Sequence, residues 1–361
     1  MAQHTDKITQ WIRPEIRAIA AYHVPDASGL IKLDAMENPY TWPEWLVDAW
    51  LEQLRAVGLN RYPDPAARQL KVRLREAMGI PAGMEVLLGN GSDELIQMIA
   101  LAVARPGRVV LAPEPGFVMY RMIAGLAGME YVGVPLRAGD FGLYMPAMRE
   151  AIRRHQPAVV FLAYPNNPTG NLFGRDEIRE IVELSPGLVI VDEAYAPFAD
   201  ETFMGELGKH DNLLVMRTVS KMGLAGLRLG LLAGPKAWLD EVDKARLPYN
   251  INVLTQASAD FALKHHDVFD EQTRRICADR EWLFGKLRDM PGLTVYPSRA
   301  NFILFRVPAG RADAIFAGLK EAGVLVKNLN GAGGPLTDCL RVTVGAPEEN
   351  AAFLDALTSQ L

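Results

Sequence analysis

Cysteine is scarce in this chain: its 361 residues include two, Cys277 and Cys339, and neither belongs to a Cys-x-x-Cys pair. That excludes a disulfide framework, fits a reducing compartment and leaves no thiolate metal site to expect. The six histidines are scattered without His-Glu-x-x-His spacing, so they read as surface or structural residues and no metal is expected. No GxxxxGK[ST] loop occurs, which removes the P-loop nucleotide reading. Long apolar runs are missing too, and Met1-Ala-Gln-His-Thr-Asp-Lys7 holds no apolar signal core. The expectation is a cytoplasmic protein without membrane contact. Neither charge dominates, and a net charge of −5 argues against nucleic acid or an anionic surface as partner.

What is present is the composition of an ordinary soluble enzyme, 49% hydrophobic and 22% charged. The segment to about residue 43 is proline-rich and reads as irregular, with one strand-like piece at Leu30–Asp34. Helical periodicity follows at Glu44–Val57, Ala66–Met78 and Ser92–Ala104, with a short strand at Glu85–Leu88. Apolar runs then occur at Val109–Ala112, Tyr131–Pro135, Val159–Ala163, Leu188–Val191, Leu213–Val219 and Leu229–Ala233. Helical patterns at Val118–Ala127, Met145–His155 and Arg175–Leu184 separate the first four.

Runs that are apolar throughout imply strands buried on both faces of a mostly parallel sheet. After Pro235 come longer helices, then short strands at Leu293–Tyr296, Phe302–Val307, Val324–Lys327 and Leu340–Val344. The expected fold is α/β: a large domain with a mostly parallel mixed sheet flanked by helices, plus a smaller α+β domain. Residues 44–247 would form the large domain and 248–361 the small one, with 1–43 as an arm completing it.

Polar constellations cluster at the carboxyl ends of those strands, where open α/β sheets bind ligands. Gly89-Asn-Gly-Ser-Asp-Glu94 joins a strand to a helix; alone it is a capped helix start, and it is also a ready anion site. Asp192 ends the run Val189-Ile-Val191, and a carboxylate there is costly unless a cation or several donors meet it. A protonated pyridine nitrogen is such a partner. Tyr195 and Asn167, the latter in the turn Asn166-Asn-Pro-Thr-Gly170, can both donate to a phenolate oxygen on the same ring. Phe117, after the preceding strand, is placed to lie against an aromatic ring.

Lys221 follows Ser220 just past a strand, and Arg228 stands seven positions on (228 − 221 = 7). A lysine in a desolvated pocket near cations becomes a usable amine, and Arg228, Ser220 and Thr218 supply what a phosphate ester needs. Together these residues describe a pyridoxal-phosphate site.

On those residues the chain resembles the fold-type-I pyridoxal 5'-phosphate-dependent aminotransferases over essentially its full length. The resemblance implies that Lys221 holds the cofactor as a Schiff base and moves the substrate proton. It implies further that Asp192 pairs with the ring nitrogen, Asn167 and Tyr195 with the ring oxygen, and that Phe117 stacks on the ring. Ser92, Asp93, Thr218, Ser220 and Arg228 would bind the phosphate. Within that superfamily the chain is similar to the histidinol-phosphate aminotransferases. Ala21–Pro25, Leu33–Tyr40, Asn60–Pro65 and Cys339–Gly345 carry the likeness.

That family implies a homodimer, with Tyr62 reaching the neighbouring subunit's cofactor phosphate. It implies Arg341, Tyr22, Asn38 and Lys327 as substrate residues. The reaction would be ping-pong transamination of L-histidinol phosphate with 2-oxoglutarate, giving imidazole acetol phosphate and L-glutamate in histidine biosynthesis. Two departures stand out. The interval from Lys221 to Arg228 is one residue shorter than the family's common spacing, and Lys327 stands where several relatives carry arginine, losing the guanidinium fork. An aromatic amino acid aminotransferase or a threonine-phosphate decarboxylase would share nearly all the cofactor residues. A non-catalytic regulator of the same fold is the alternative from another class.

Overall fold

A computed structural model describes residues 2–21 and 24–361. Its strands are β1 (Ile31–Lys32), β2 (Met84–Asn90), β3 (Val109–Glu114), β4 (Glu130–Pro135), β5 (Val159–Ala163), β6 (Leu188–Asp192) and β7 (Leu213–Thr218). Further on come β8 (Leu229–Pro235), β9 (Thr294–Val295), β10 (Phe302–Arg306), β11 (Val324–Leu325), β12 (Lys327–Asn328) and β13 (Cys339–Thr343). Seven strands form the large sheet, in the order β2-β8-β7-β6-β5-β3-β4. Neighbours pair in parallel except β8, which runs antiparallel to both β2 and β7. The α/β architecture is therefore the expected one, a mostly parallel mixed sheet with helices between its strands.

The continuous apolar runs have a direct structural cause. Successive strand side chains point to opposite faces. Val160, Leu162, Val189, Val191 and Val215 enter one core, while Phe161, Ile190, Leu214 and Met216 enter the other. All of them are essentially inaccessible. Each such side chain contributes about 1.5–3 kcal/mol relative to exposure. The helix Met145–His155 buries Met145, Met148 and Ile152, a spacing that keeps one face of the helix on the sheet.

The smaller sheet is antiparallel, in the order β12-β13-β10-β9, and packs over a core that includes Leu283, Ile303, Phe305 and Phe353. β1 pairs in parallel with β11, so the segment that follows β1 runs beside this sheet. Met36 N–H donates to Thr343 Oγ1 and Thr343 N–H donates to Leu33 O. That route carries residues 33–38 between the two sheets.

Two local expectations need correction. The N-terminal segment is not irregular: Ala2–Trp11 is a helix and Pro14–Arg17 a further turn. Ile8, Trp11 and Ile12 on that segment are exposed, so no buried stripe marks the helix in the sequence. The run Val324–Lys327 is also not one strand. It divides into β11, which pairs with β1, and β12, which pairs with β13, because its two ends serve different neighbours. Among the described residues no helix is long and apolar enough to cross a membrane.

Candidate active site

The parallel strands β3, β5, β6 and β7 all deliver their carboxyl ends to one edge of the sheet. β8 runs the other way, so Arg228, just before it, reaches that same edge. Between them lies a cavity of about 260 Å³ lined by Ser92, Asp93, Phe117, Asn167, Asp192, Tyr195, Thr218, Ser220, Lys221 and Arg228. Ala35, Met36 and Glu37 close it from the segment between the sheets. The cavity thus gathers every residue the sequence assigns to the cofactor except Tyr62.

Lys221 sits in a 3-10 turn, Ser220–Met222, directly after β7 and Val219. Its Nζ donates to Ala35 O at 3.2 Å and lies 5.9 Å from the centroid of the Tyr195 ring. Burial, helped by the Arg341 and Arg228 charges, pushes the amine down to about 8, against the opposing pull of Glu37 and Asp93. A lysine near that value is about a tenth unprotonated at pH 7, a few hundredfold more than an ordinary lysine, and nucleophilic attack requires that form.

At the far wall, Asp192 is 4% exposed, and no cation among the described residues is bonded to it. Tyr120 Oη donates to its Oδ2 at 2.6 Å and Ala194 N–H to its Oδ1 at 3.1 Å. Burial pushes its pKa up to about 6, opposed by those two hydrogen bonds and reinforced by Asp93 and Glu193. Asn167 Nδ2 donates to Tyr195 Oη at 3.2 Å, and burial raises the Tyr195 phenol.

The cation-rich end is built by close backbone approach. Gly91 opens the helix Gly91–Val103 with φ +76°, and a Cβ there would lie 2.6 Å from Arg228 Nη2. A Cβ on Gly230 would lie 2.6 Å from the Gly91 carbonyl carbon. Only glycine at both places lets the guanidinium rest on the helix start, whose N–H groups lack intrahelical partners. Thr218 Oγ1 and Ser220 Oγ stand 2.8 Å apart beside it. Gly223 at φ +114° and Arg228 itself, in the left-handed region at φ 48°, shape the turn between Lys221 and Arg228, and the Arg228 side chain lines the cavity. Asp93 lies 3.7 Å from Arg228, and burial raises its carboxyl. A carboxylate repels phosphate, so what the Asp93 side chain offers this end of the cavity is its ion pair with Arg228.

Arg341 is buried on β13. Its Nη1 donates to Asn167 Oδ1 at 2.6 Å, its Nη2 to Asp34 O at 2.9 Å, and its guanidinium carbon lies 5.1 Å from the Phe302 ring centroid. Lys327 is its direct cross-strand neighbour, which puts two cationic side chains on one face. Asn38 does not line the cavity: Nδ2 donates to Gln272 Oε1 and Met222 O, and Oδ1 accepts from Tyr40 N–H. It braces the turn that carries Lys221. Tyr62 is 79% exposed, stacked on Tyr249 at 4.3 Å and outside the cavity of its own chain. Tyr22 lies outside the described residues.

Sequence comparison fits this geometry. The family model for aminotransferase class I and II matches residues 28–357. The chain belongs to that family. It is 64% identical over 352 residues to histidinol-phosphate aminotransferase 2 of Nitrosococcus oceani, covering 98% of each chain. It is 55% identical over 350 residues to histidinol-phosphate aminotransferase of Chromobacterium violaceum, covering 97% of this chain and 98% of that one. Among solved structures, histidinol-phosphate aminotransferase from Sinorhizobium meliloti in complex with pyridoxal-5'-phosphate overlays with a TM-score of 0.86. That overlay spans 97% of both chains at 23% identity, a likeness of fold.

The family's cofactor, pyridoxal 5'-phosphate, fits the donor set on physical grounds. Its phosphate matches the glycine-made cradle with Arg228, Ser220 and Thr218, and its protonated ring nitrogen matches a buried carboxylate that no cation among the described residues serves. Its carbonyl matches an amine held near about 8. Tyr120 and Ala35 are the contributors that sequence reasoning missed. Tyr120 had a signal: it falls three residues after Phe117, on the same side of the helix Val118–Leu126. The Ala35 carbonyl lies in the matching stretch Leu33–Tyr40, but a backbone acceptor for Lys221 has no side-chain signature and depends on long-range packing.

Proposed function

We propose that this protein is a homodimeric histidinol-phosphate aminotransferase, exchanging the amine of L-histidinol phosphate with 2-oxoglutarate in histidine biosynthesis. The observation that carries the reading is the pairing of Lys221 and Asp192 in one cavity, in a chain 64% identical to a relative of that name. The division into a large cofactor unit (44–247) and a small unit (248–361 with 1–43) belongs to the same reading.

When bound, pyridoxal 5'-phosphate supplies a carbonyl for amine exchange and a ring that draws electrons from the bond broken at the substrate carbon. Lys221 Nζ provides the amine that anchors that group and, once released, the base that carries a proton beside it. Asp192 keeps the ring nitrogen protonated, Asn167 and Tyr195 hold the ring oxygen, and Phe117 covers the ring face. Ser92, Asp93, Thr218, Ser220 and Arg228 hold the phosphate. Arg341 clamps the acidic end of either substrate, since a guanidinium fork fits phosphate and carboxylate alike. Tyr22, Lys327 and Asn38 complete the substrate side, Asn38 by bracing.

The dimer is supported by what Tyr62 does not do. It does not line its own cavity, and Leu59, Tyr62, Leu247 and Leu254 are exposed apolar side chains. In a dimer Tyr62 would serve the opposite site. Turnover with histidinol phosphate, threonine phosphate and phenylalanine, each with and without 2-oxoglutarate, tests the function. Activity confined to histidinol phosphate plus 2-oxoglutarate supports it. Carbon dioxide released from threonine phosphate without an acceptor, or preference for phenylalanine, would replace it with the corresponding rival.

A further inference from the structure

Tyr120 is a buried titratable group beside the site that the reaction as described leaves unused. Its ring is fixed from two sides, stacked on Phe161 at 4.6 Å with 7° between planes and edge-on to Phe117 at 5.4 Å. Its hydroxyl, in a residue 2% exposed, points to Asp192 Oδ2 at 2.6 Å. We propose that Tyr120 is a positioning residue that holds Asp192 ionised and aimed, so that the cofactor's ring nitrogen meets a carboxylate and not a carboxylic acid. This rests on the cofactor assignment above.

The reasoning is one of lone pairs and donors. A carboxylate offers about four acceptor sites, and a protonated acid gives one of them up to an O–H. Tyr120 and Ala194 N–H take one site on each oxygen, which leaves a defined direction for a third donor. The titratable groups bearing on Asp192 are Tyr120, Asp93, Glu193 and Tyr195. Of these, Asp93 and Glu193 oppose its ionisation, and the Tyr120 hydrogen bond favours it. Phe117 links the two functions of this helix start: its ring packs on Tyr120 while it lines the cavity.

Tyr120→Phe removes the hydroxyl and keeps the ring. A hydrogen bond to a charged group is worth about ten- to a hundredfold in an equilibrium. Purified apo-protein of Tyr120→Phe is therefore expected to bind pyridoxal 5'-phosphate about ten- to a hundredfold more weakly at neutral pH, measured by absorbance titration. The acid limb of that binding should move upward by about one pH unit, since a carboxyl deprived of a donor titrates higher. Phe161→Leu removes the stacked ring and keeps the hydroxyl; its acid limb should stay in place. Apo-protein melting curves keep folding separate from binding.

Unchanged affinity and an unmoved acid limb in Tyr120→Phe overturn the inference, and so does an equal shift in Phe161→Leu, which would make the effect one of packing. A wild-type chain that binds no cofactor overturns the functional reading as well. Wild-type binding with an indifferent Tyr120→Phe overturns this inference alone.

Discussion

Asp192 and Glu193 are consecutive carboxylates at the end of one strand, both almost wholly buried, and they face opposite sides of the sheet with opposite provisions. Glu193 is fully served by the protein. Arg217 pairs with it at 2.8 Å, Thr202 Oγ1 donates to both its oxygens, and Phe203 N–H donates at 2.5 Å. Asp192 receives one phenol and one backbone N–H, with no cation among the described residues, and its pKa is pushed up to about 6. The difference teaches how to tell a structural acid from a functional one in the same strand. Burial is shared; the missing cation marks the side where a ligand belongs.

Substitutions should separate the two carboxylates in kind. The largest effect belongs to the cavity side. Lys221→Ala is expected to lower turnover at least about 10³-fold and abolish covalent cofactor retention, read by denaturing mass spectrometry after borohydride reduction. Retained turnover would remove Lys221 from the chemistry. Asp192→Asn should lower turnover by about 10²-fold or more yet leave the fold intact. Glu193→Gln should do the reverse: destabilisation of about 3 kcal/mol by chemical denaturation, because Arg217 loses its buried counter-charge, with turnover per folded molecule within about threefold. Equal effects of the two on both readouts would break the distinction.

pH offers a smaller and sharper test in the apo-protein. Asp192 titrates higher folded than unfolded, from 3.8 up to about 6, so its contribution to stability is lost as pH rises through that interval. Lys221 titrates lower folded than unfolded, from 10.5 down to about 8, so stability is regained as pH rises from about 8 to 10.5. Lys221→Met should flatten the second slope, measured by denaturation at a series of pH values. An unaltered slope would mean the amine is not desolvated. The smallest effect is expected at the exposed pair Arg153–Glu150, where Arg153→Ala should change stability by about 0.5 kcal/mol or less.

The large sheet was legible because strands buried on both faces write uninterrupted apolar runs. Val159–Ala163, Met145–His155 and Arg175–Leu184 have in the fold the bounds their patterns imply. The antiparallel direction of β8 left no such trace, since strand direction is set by connections and not by composition. Lys221, Asp192 and Arg228 were legible as strand-end polar residues. Tyr120 was hidden among the apolar residues of an amphipathic helix, where a phenol reads as core until its hydroxyl's partner is known. Asn38 was visible as a polar residue in a matching motif, but its bracing of Gln272 and Met222 depends on long-range packing.

The central claim is that Asp192 is kept at a cost to stability for a cationic ring nitrogen. The most direct measurement is the melting temperature of apo wild type and Asp192→Asn at pH 7.5, each with and without saturating pyridoxal 5'-phosphate. Relieving the buried charge should stabilise the apo variant by roughly 2–3 kcal/mol, and the cofactor should raise the wild-type melting temperature by more than the variant's. An apo variant less stable than wild type, stabilised equally by the cofactor, would contradict the account.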